Sequence, residues 1–337
     1  MTRARDNSNI LGTSGTNGQV LTIDTNQNNG YAFENPAQYV AGKNFIINGG
    51  FDIWQRGTGS FSAGVYCADR FISGGGGTFT QSTSVVPANF RYSLSITGSG
   101  APQAWISQVI ETSNTIPLAG KTIALSAYVA ANTSVPLTFY VYYATTVDAT
   151  YSGGSWTGVT VNNLTNGTPT STTFNRMTAT ANIPSNATSL LVQIGTVGSL
   201  ANTSTYYVSG FQLELGSVAT SFSRAGGTIQ HELIACQRYY QILGNLFGYA
   251  FTTTAIQGSV SHQPMRAQPT VIMLTTSPYG ESPINVTAHT ASGANAFGSG
   301  DVNQYGPSFL RINGFSGMTS GNPAYVLSDQ IALSAEL

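Results

Sequence analysis

The sequence predicts an all-β protein: a jelly-roll sandwich followed by a short helix and a second, smaller β-sandwich, with a short N-terminal docking or trimerising segment in front. Three observations carry that prediction. Stretches such as "KTIALSAYVAA" and "PLTFYVYYAT" alternate apolar and polar residues with the period of a half-buried strand. Clusters of Gly, Asn, Ser and Pro separate those stretches along most of the 337 residues. One segment, "GGTIQHELIACQRYYQIL", has helical spacing instead.

Residues 1–42 are rich in Asn, Gly and Thr, and two apolar patches, Val20 to Ile23 and Tyr31 to Phe33, flank an Asn28-Asn29-Gly30 turn. So small a hairpin buries little alone, so it is expected to fold against copies of itself or a docking partner. Residues 43–225 form the jelly roll. In it Ile123, Leu125, Ala127 and Val129 share one face, as do Leu137, Phe139, Val141 and Tyr143, with Tyr140 and Tyr142 opposite. "SLLVQIGTVG" and "YYVSGFQLELG" add two further strands. Residues 226–244 form the connecting helix, capped by Thr228 and closed by Gly244, with Ile229, Leu233, Cys236, Tyr240 and Leu243 recurring as a heptad stripe. Two heptads are too short to stand alone, so the stripe is expected to pack on a sandwich or complete an oligomeric bundle. Residues 245–337 return to short strands, among them "GYAFTTTAIQGSVS", "PTVIMLTT", "PINVTAHT", "SFLRINGF" and "QIALSAEL", and form the C-terminal sandwich.

Composition narrows the function. Only 7% of residues are charged, against about 25% in an average soluble domain. A net charge of −1 with two lysines gives no footprint for nucleic acid. The start "MTRARDNSNILG" is basic but lacks an apolar run, so neither a signal peptide nor membrane insertion is expected. Cys67 and Cys236 are too far apart to indicate a disulfide framework, and Cys236 reads as a buried small hydrophobe. His231, His262 and His289 are scattered, so no zinc site and no cofactor is expected. A neutral, hydroxyl- and amide-rich exterior without secretion or disulfides points to a virion component, assembled in a host cytoplasm and released by lysis.

The stretch "KNFIINGGFDIWQRGTGSF" brings Asp52, Trp54 and Arg56 within five positions and resembles a catalytic cluster. Glycoside cleavage needs two carboxylates flanking the bond, and Asp52, Asp69, Glu111, Asp148 and Glu214 show no recognisable pairing. No nucleophile elbow, phosphate loop or triad is present either, so no catalytic residue is assigned. The stretch reads instead as the entry strand of the sandwich, with Phe45, Ile47, Phe51 and Ile53 in the core and Gly49-Gly50 as a bulge. Glycan binding suits the composition better, since sugars are held by aromatic faces and neutral hydrogen-bonding side chains. Tyr140, Tyr142, Trp105 and Trp156 are the candidate glycan-binding residues. The competing reading packs the outward tyrosines between subunits.

Several phrases in order, "NFIINGGFDIWQRGTGSF", "YCADRF", "YYVSGFQLELGSVATSF", "CQRYYQ", "QPMRAQPTV" and the terminal "LSAEL", resemble a family of tailed-phage virion proteins of the tail-fibre or capsid-fibre kind. "NGQVLTIDTNQNNGYAF" resembles the trimerising segment of tail fibres. The resemblance implies a jelly roll like a carbohydrate-binding module and a homotrimeric tail-fibre subunit. It also implies contacts with other virion proteins through the N-terminal segment, and attachment to a host-surface polysaccharide. A capsid-decorating protein without a receptor role is the alternative, and a depolymerase a third. Modules of the calcium-binding type carry an acid in the last strand where this chain has Ser209-Gly210, so no metal is assigned, although Asp52 and carbonyls around Asn48 offer oxygen ligands.

Overall fold

The computed structural model describes residues 20–23, 31–34, 42–100, 103–152, 155–156, 159–275, 279–282, 287–290 and 297–337. Near the start, β1 (Val20–Ile23) pairs antiparallel with β2 (Tyr31–Glu34), joining the two apolar patches as a hairpin. The Asn28-Asn29-Gly30 turn lies outside the described residues.

The following strands are β3 (Ile72–Gly75), β4 (Thr78–Ser82), β5 (Ser93–Thr97), β6 (Ala104–Ile110), β7 (Thr122–Ala131), β8 (Leu137–Ala144), β9 (Tyr151–Ser152), β10 (Ser155–Trp156), β11 (Val159–Gly167), β12 (Asn175–Asn182), β13 (Ser189–Thr196) and β14 (Thr205–Leu215). Two antiparallel five-stranded sheets result, in the orders β11-β8-β13-β6-β3 and β12-β7-β14-β5-β4, while β9 and β10 form a small separate hairpin. Successive strands mostly switch sheets, which is the jelly-roll arrangement.

Alternation sets the core as expected. Ile123, Leu125, Ala127 and Val129 of β7 and Leu137, Phe139 and Val141 of β8 are buried between the sheets, with Tyr143 packed at the edge. A ladder of rings runs through the core, from Phe51 to Phe71 to Phe211 to Phe139, with centroids 4.6, 6.2 and 5.7 Å apart. In β14 the pairing with β7 slips between Ser209 and Gln212, placing Gly210 at φ 60 in a bulge. A side chain at Gly210 would meet the Phe90 and Tyr128 rings at 2.7 and 2.8 Å, so only glycine fits.

The stretch around Asn48 departs from the expected entry strand. Residues 43–56 form turns and extended segments with no ladder of their own, and Asn48 and Phe51 take positive φ of 61 and 55. The Asn48 amide explains this: its Nδ2 donates to Ile53 O and Asp69 O at 2.8 and 3.0 Å, and its Oδ1 accepts from Ile53 N at 2.9 Å. Such local side-chain bonding competes with a sheet ladder. Ile46 and Phe51 therefore enter the core, Phe45 and Trp54 pack against its edge, and Ile47 turns away from it.

The helix spans Ile229–Gln237, shorter than the expected 226–244, and Thr228 caps it by accepting from His231 N at 3.3 Å. The heptad stripe does not form one face. Ile229 is 41% exposed and Leu233 half-buried, whereas Glu232 and Cys236 face inward. Glu232 points in because its carboxylate accepts from Asn48 N and from Gly226 N, a role that an apolar periodicity does not reveal. Tyr240 and Leu243 lie beyond the helix; Tyr240 belongs to a strand, and Leu243 is in the second core. Gly244 accordingly ends no helix. The thiol of Cys236 is buried and unpaired, as is that of Cys67.

The remaining strands are β15 (Tyr240–Ile242), β16 (Leu246–Thr252), β17 (Ala255–Val260), β18 (Thr270–Met273), β19 (Tyr279–Ser282), β20 (Thr287–Thr290), β21 (Phe297–Asp301), β22 (Ser308–Asn313), β23 (Pro323–Val326) and β24 (Ile331–Ser334). They form a three-stranded sheet, β15-β24-β18, and a seven-stranded sheet, β20-β19-β23-β16-β17-β22-β21. Leu246, Ile256, Leu310, Ile312, Val326 and Leu333 lie in the core that these strands build.

Candidate functional site

The outer face of the sheet β11-β8-β13-β6-β3 collects the aromatic residues singled out above. On β6, Ile106 and Ile110 point into the core, so Trp105, Ser107 and Val109 point outward; on β8 the same rule turns Tyr140 and Tyr142 outward. Strand register sets the rows across the face. Gly74, Trp105, Gly195 and Thr138 share one row, Ile72, Ser107, Gln193 and Tyr140 the next, and Val109, Leu191 and Tyr142 a third.

Trp105 is shaped by its neighbours. A Cβ on Gly74 would stand 2.2 Å from its Nε1, and one on Gly195 would stand 2.5 Å from its Cβ, so glycine on both flanking strands lets the indole lie along the sheet. Tyr140 and Tyr142 stack two residues apart on one strand face, with centroids 6.1 Å apart and planes at 14°. The β9–β10 hairpin closes one end of the face by pairing Trp156 with Tyr151. Both residues pack with Tyr142 against a small cluster of Val109, Leu191, Tyr239 and Leu337. Burial raises the Tyr142 hydroxyl above its ordinary pKa, and the neighbouring Tyr140 and Tyr151 add to the shift. Burial likewise raises the Tyr151 hydroxyl, against an opposing contact from Trp105.

All four candidate aromatics thus share one surface, but not one role. Tyr140 and Trp105 are half-buried and line the open part, while Tyr142 packs with Trp156 at the closed end. Sequence reading missed Ser107, Gln193 and Tyr151, which share this face. Cross-strand register places the first two, and it is invisible before strands are paired. Ser107 is fully buried and Gln193 is 8% exposed, so neither reaches the open surface, and Ser107 Oγ and Trp156 Nε1 are buried without a hydrogen-bond partner among the described residues.

The five carboxylates weighed for catalysis are spent elsewhere. Asp52 pairs with Arg224 at 2.8 Å, Glu111 with Arg238 at 3.1 Å and Asp148 with Arg266 at 3.0 Å. Glu214 accepts from Gln212 Nε2, Thr220 N and Thr220 Oγ1 at 2.8, 2.8 and 2.7 Å. Asp69 accepts from Gln55 N at 3.0 Å and from its side chain, and lies 3.6 Å from Arg56. Burial pushes its pKa up to about 6 against the opposing pull of Arg56. Of the possible oxygen ligands named above, Asp52 is paired with Arg224, and the carbonyls of Asn48 and Gly49 accept from Phe51 N and Phe211 N, each at 2.8 Å.

The quoted phrases meet in a second place, the seam between the sandwich and the C-terminal sheets. Arg70 of "YCADRF", 1% exposed, pairs with Glu336 of "LSAEL", donates to Val109 O at 2.8 Å and lies 3.5 Å over the Tyr239 ring of "CQRYYQ". Arg56 reaches the same Glu336 at 3.1 Å and lies 3.6 Å over the Tyr240 ring. Tyr66 donates to Leu337 O at 2.7 Å. Arg266 of "QPMRAQPTV" donates to Ala335 O at 3.0 Å, and Gln241 and Gln263 bond reciprocally at 2.8 and 2.9 Å. Asp52, Trp54 and Arg56, which look catalytic in sequence, are therefore scaffold: Arg56 joins the seam, Asp52 holds Arg224, and Trp54 donates to Phe51 O at 2.6 Å.

The sequence matches no known family profile and no curated protein. Solved structures offer partial likenesses. A family 61 carbohydrate-binding module in complex with β-1,4-galactotriose is 12% identical, with a TM-score of 0.34, over 52% of this chain and 99% of that one. The CBM22-1 xylan-binding domain of Paenibacillus barcinonensis Xyn10C is 16% identical, with a TM-score of 0.34, over 53% of this chain and 98% of that one. The enzymatically active domain of bacteriophage CBA120 tailspike protein 4 is 16% identical, with a TM-score of 0.32, over 51% of this chain and 21% of that one.

Proposed function

We propose that this chain is a non-catalytic virion protein, a homotrimeric tail-fibre subunit that helps attach a phage to glycan on its host. The observation that carries glycan binding is the half-buried Tyr140–Tyr142 stack, on an outer sheet face that also carries the half-buried Trp105. Flat rings bind the C–H faces of a pyranose, and the tyrosine hydroxyls exchange hydrogen bonds with its hydroxyls. In this reading residues 1–42 dock to other virion proteins or trimerise, 43–225 bind glycan, 226–244 connect, and 245–337 complete the fibre subunit. The protein is assembled in the host cytoplasm and leaves by lysis.

Binding to an immobilised glycan array tests the site. Replacing both rings, Tyr140→Ala with Tyr142→Ala, is expected to weaken binding about tenfold or more, taking about 0.5–1.5 kcal/mol per lost ring contact. Undiminished binding by the double variant would refute the assignment. Sedimentation equilibrium tests the trimer, and a monomer in dilute neutral solution would end that part of the reading. A cryo-EM map of the particle separates a fibre from a capsid-decorating role, the fibre reading requiring density on the tail.

A further inference from the structure

We infer a second saccharide site on the outer face of the seven-stranded sheet, separate from the sandwich face and fitted to an uncharged pyranose. Leu310 and Ile312 of β22 are buried, so Phe309 and Arg311 face outward. Register sets Gln257 of β17 opposite Arg311, and Asp301 of β21 opposite Phe309. With Gly300 these residues line a groove of about 400 Å³, within the size range of small-ligand sites. A Cβ on Gly300 would stand 2.3 Å from Phe309 O, so glycine is what lets the two strands meet there.

The polar groups of the groove are fixed in advance. Arg311 donates from Nε and Nη2 to Gln257 Oε1 at 2.8 and 2.6 Å, and its guanidinium lies 3.6 Å from the Phe251 ring centre. Its Nη1 has no protein partner among the described residues. Asp301 stands two positions along on the neighbouring strand, and among the described residues neither charge closes an ion pair. A cation donor and a carboxylate acceptor kept apart across one groove disfavour a charged ligand, since an anion meets Asp301 and a cation meets Arg311. Vicinal sugar hydroxyls, each both donor and acceptor, satisfy the two together. The Phe309 ring, 41% exposed, supplies the stacking face, and the exposed Phe247 and Tyr249 extend the aromatic surface across β16.

The test is ligand-observed saturation-transfer NMR on the full chain with D-glucose, D-galactose, D-xylose and N-acetyl-D-glucosamine. A Tyr140→Ala, Tyr142→Ala background silences the sandwich face and isolates this groove. In that background at least one of the four sugars is expected to show transfer. Adding Phe309→Ala or Arg311→Ala should reduce it tenfold or more, and Arg311→Lys, which keeps the charge but loses the fork, should reduce it partly. Circular dichroism checks the fold of each variant, and Asp301→Asn, at an exposed edge position, serves if the arginine variants do not fold. Absence of transfer for all four sugars in that background overturns the inference, as does transfer indifferent to the groove substitutions. A wild-type oligomer that Phe309→Ala dissolves, with no sugar signal, also overturns it and assigns the face to a second copy of the chain. Failure of the sandwich reading looks different: Phe309→Ala alone would then remove all sugar transfer.

Discussion

Replacing Glu336 by Ala is expected to destabilise the sandwich, although residue 336 lies at the far end of the chain from most of it. Glu336 is the carboxylate partner of Arg70 and Arg56, with side chains 1% exposed for Arg70, 14% for Arg56 and 7% for itself. Burial alone would lower the Arg70 pKa, and Glu336 together with the smaller contributions of Tyr239, Tyr66 and Cys236 more than offsets that effect. Without Glu336, Arg70 keeps Val109 O and the Tyr239 face but holds an uncompensated buried charge. Breaking a buried pair in this way costs about 3–5 kcal/mol. With a urea dependence of about 2–3 kcal/mol per molar for a chain of this size, the midpoint should fall by about 1–2.5 M. All three tryptophans, Trp54, Trp105 and Trp156, precede the helix, so their fluorescence reports the sandwich, with Trp156 also sensing the seam through the cluster of Tyr239 and Leu337. A fluorescence midpoint within about 0.3 M of wild type would refute the reasoning, because the seam would then leave the sandwich uncoupled from residue 336. Replacing Arg70 and Glu336 together by Met and Gln should recover most of the loss, since no unpaired charge remains.

Other expectations follow from the same geometry. Gly74→Ala should displace the Trp105 indole, which a Cβ would meet at 2.2 Å, and is expected to shift tryptophan emission and weaken glycan binding in titration. Asp69 sits at about 6 in the fold against 3.8 for the free group, so the native state binds the extra proton between those values. The burial penalty is therefore complete above pH 6, and stability relative to Asp69→Asn should rise as pH falls from 7 towards 4, by at most about 3 kcal/mol, read from urea melts at each pH. Burial pushes the Cys67 thiol up to about 12 and raises that of Cys236 as well, so neither should react with a thiol reagent at pH 8 until the chain is unfolded. Glu232→Ala removes the carboxylate held by Asn48 N and Gly226 N and should cost about 2–3 kcal/mol of stability in the same melts, whereas Ile234→Ser, at a 52% exposed position, should cost little.

Strands were legible wherever a period of two set apolar residues on the core face, as in β7 and β8, although in β7 the outer face is almost wholly buried too. Tyr140 and Tyr142 could be named because residues that alternate with core positions face out, whereas Trp105 and Trp156 were named as aromatics alone. The helix was misjudged in extent and in face. Its inward residues are Glu232 and Cys236, and an acid that serves as a backbone acceptor looks like a solvent residue in any pattern of hydropathy. The turn at Asn48 was lost to a comparable cause, since one side-chain amide redirects a segment whose apolar residues read as a strand. Ser107, Gln193 and the Arg311 groove depend on which strands become neighbours, and no local signal encodes that.

In a chain with so little charge, the placement of each ion is informative. Arg56, Arg70, Asp69 and Glu336 converge at the seam, and Glu111–Arg238 and Asp148–Arg266 also bridge the sandwich to the segments that follow it. The buried Arg70–Glu336 pair contributes little net stability over an apolar seam of the same shape, but a misdocked arrangement would strand its charges at a cost of several kcal/mol. The Arg238 and Asp148 side chains are 42% and 36% exposed, so their pairs add less. Together the pairs therefore specify one orientation of the two parts. The aromatic face of the sandwich offers the opposite chemistry, rings with hydroxyl and amide neighbours. Acid, base and aromatic residues close together at the entry segment thus mark where this molecule holds itself together, and the surfaces proposed for recognition lie where rings face outward.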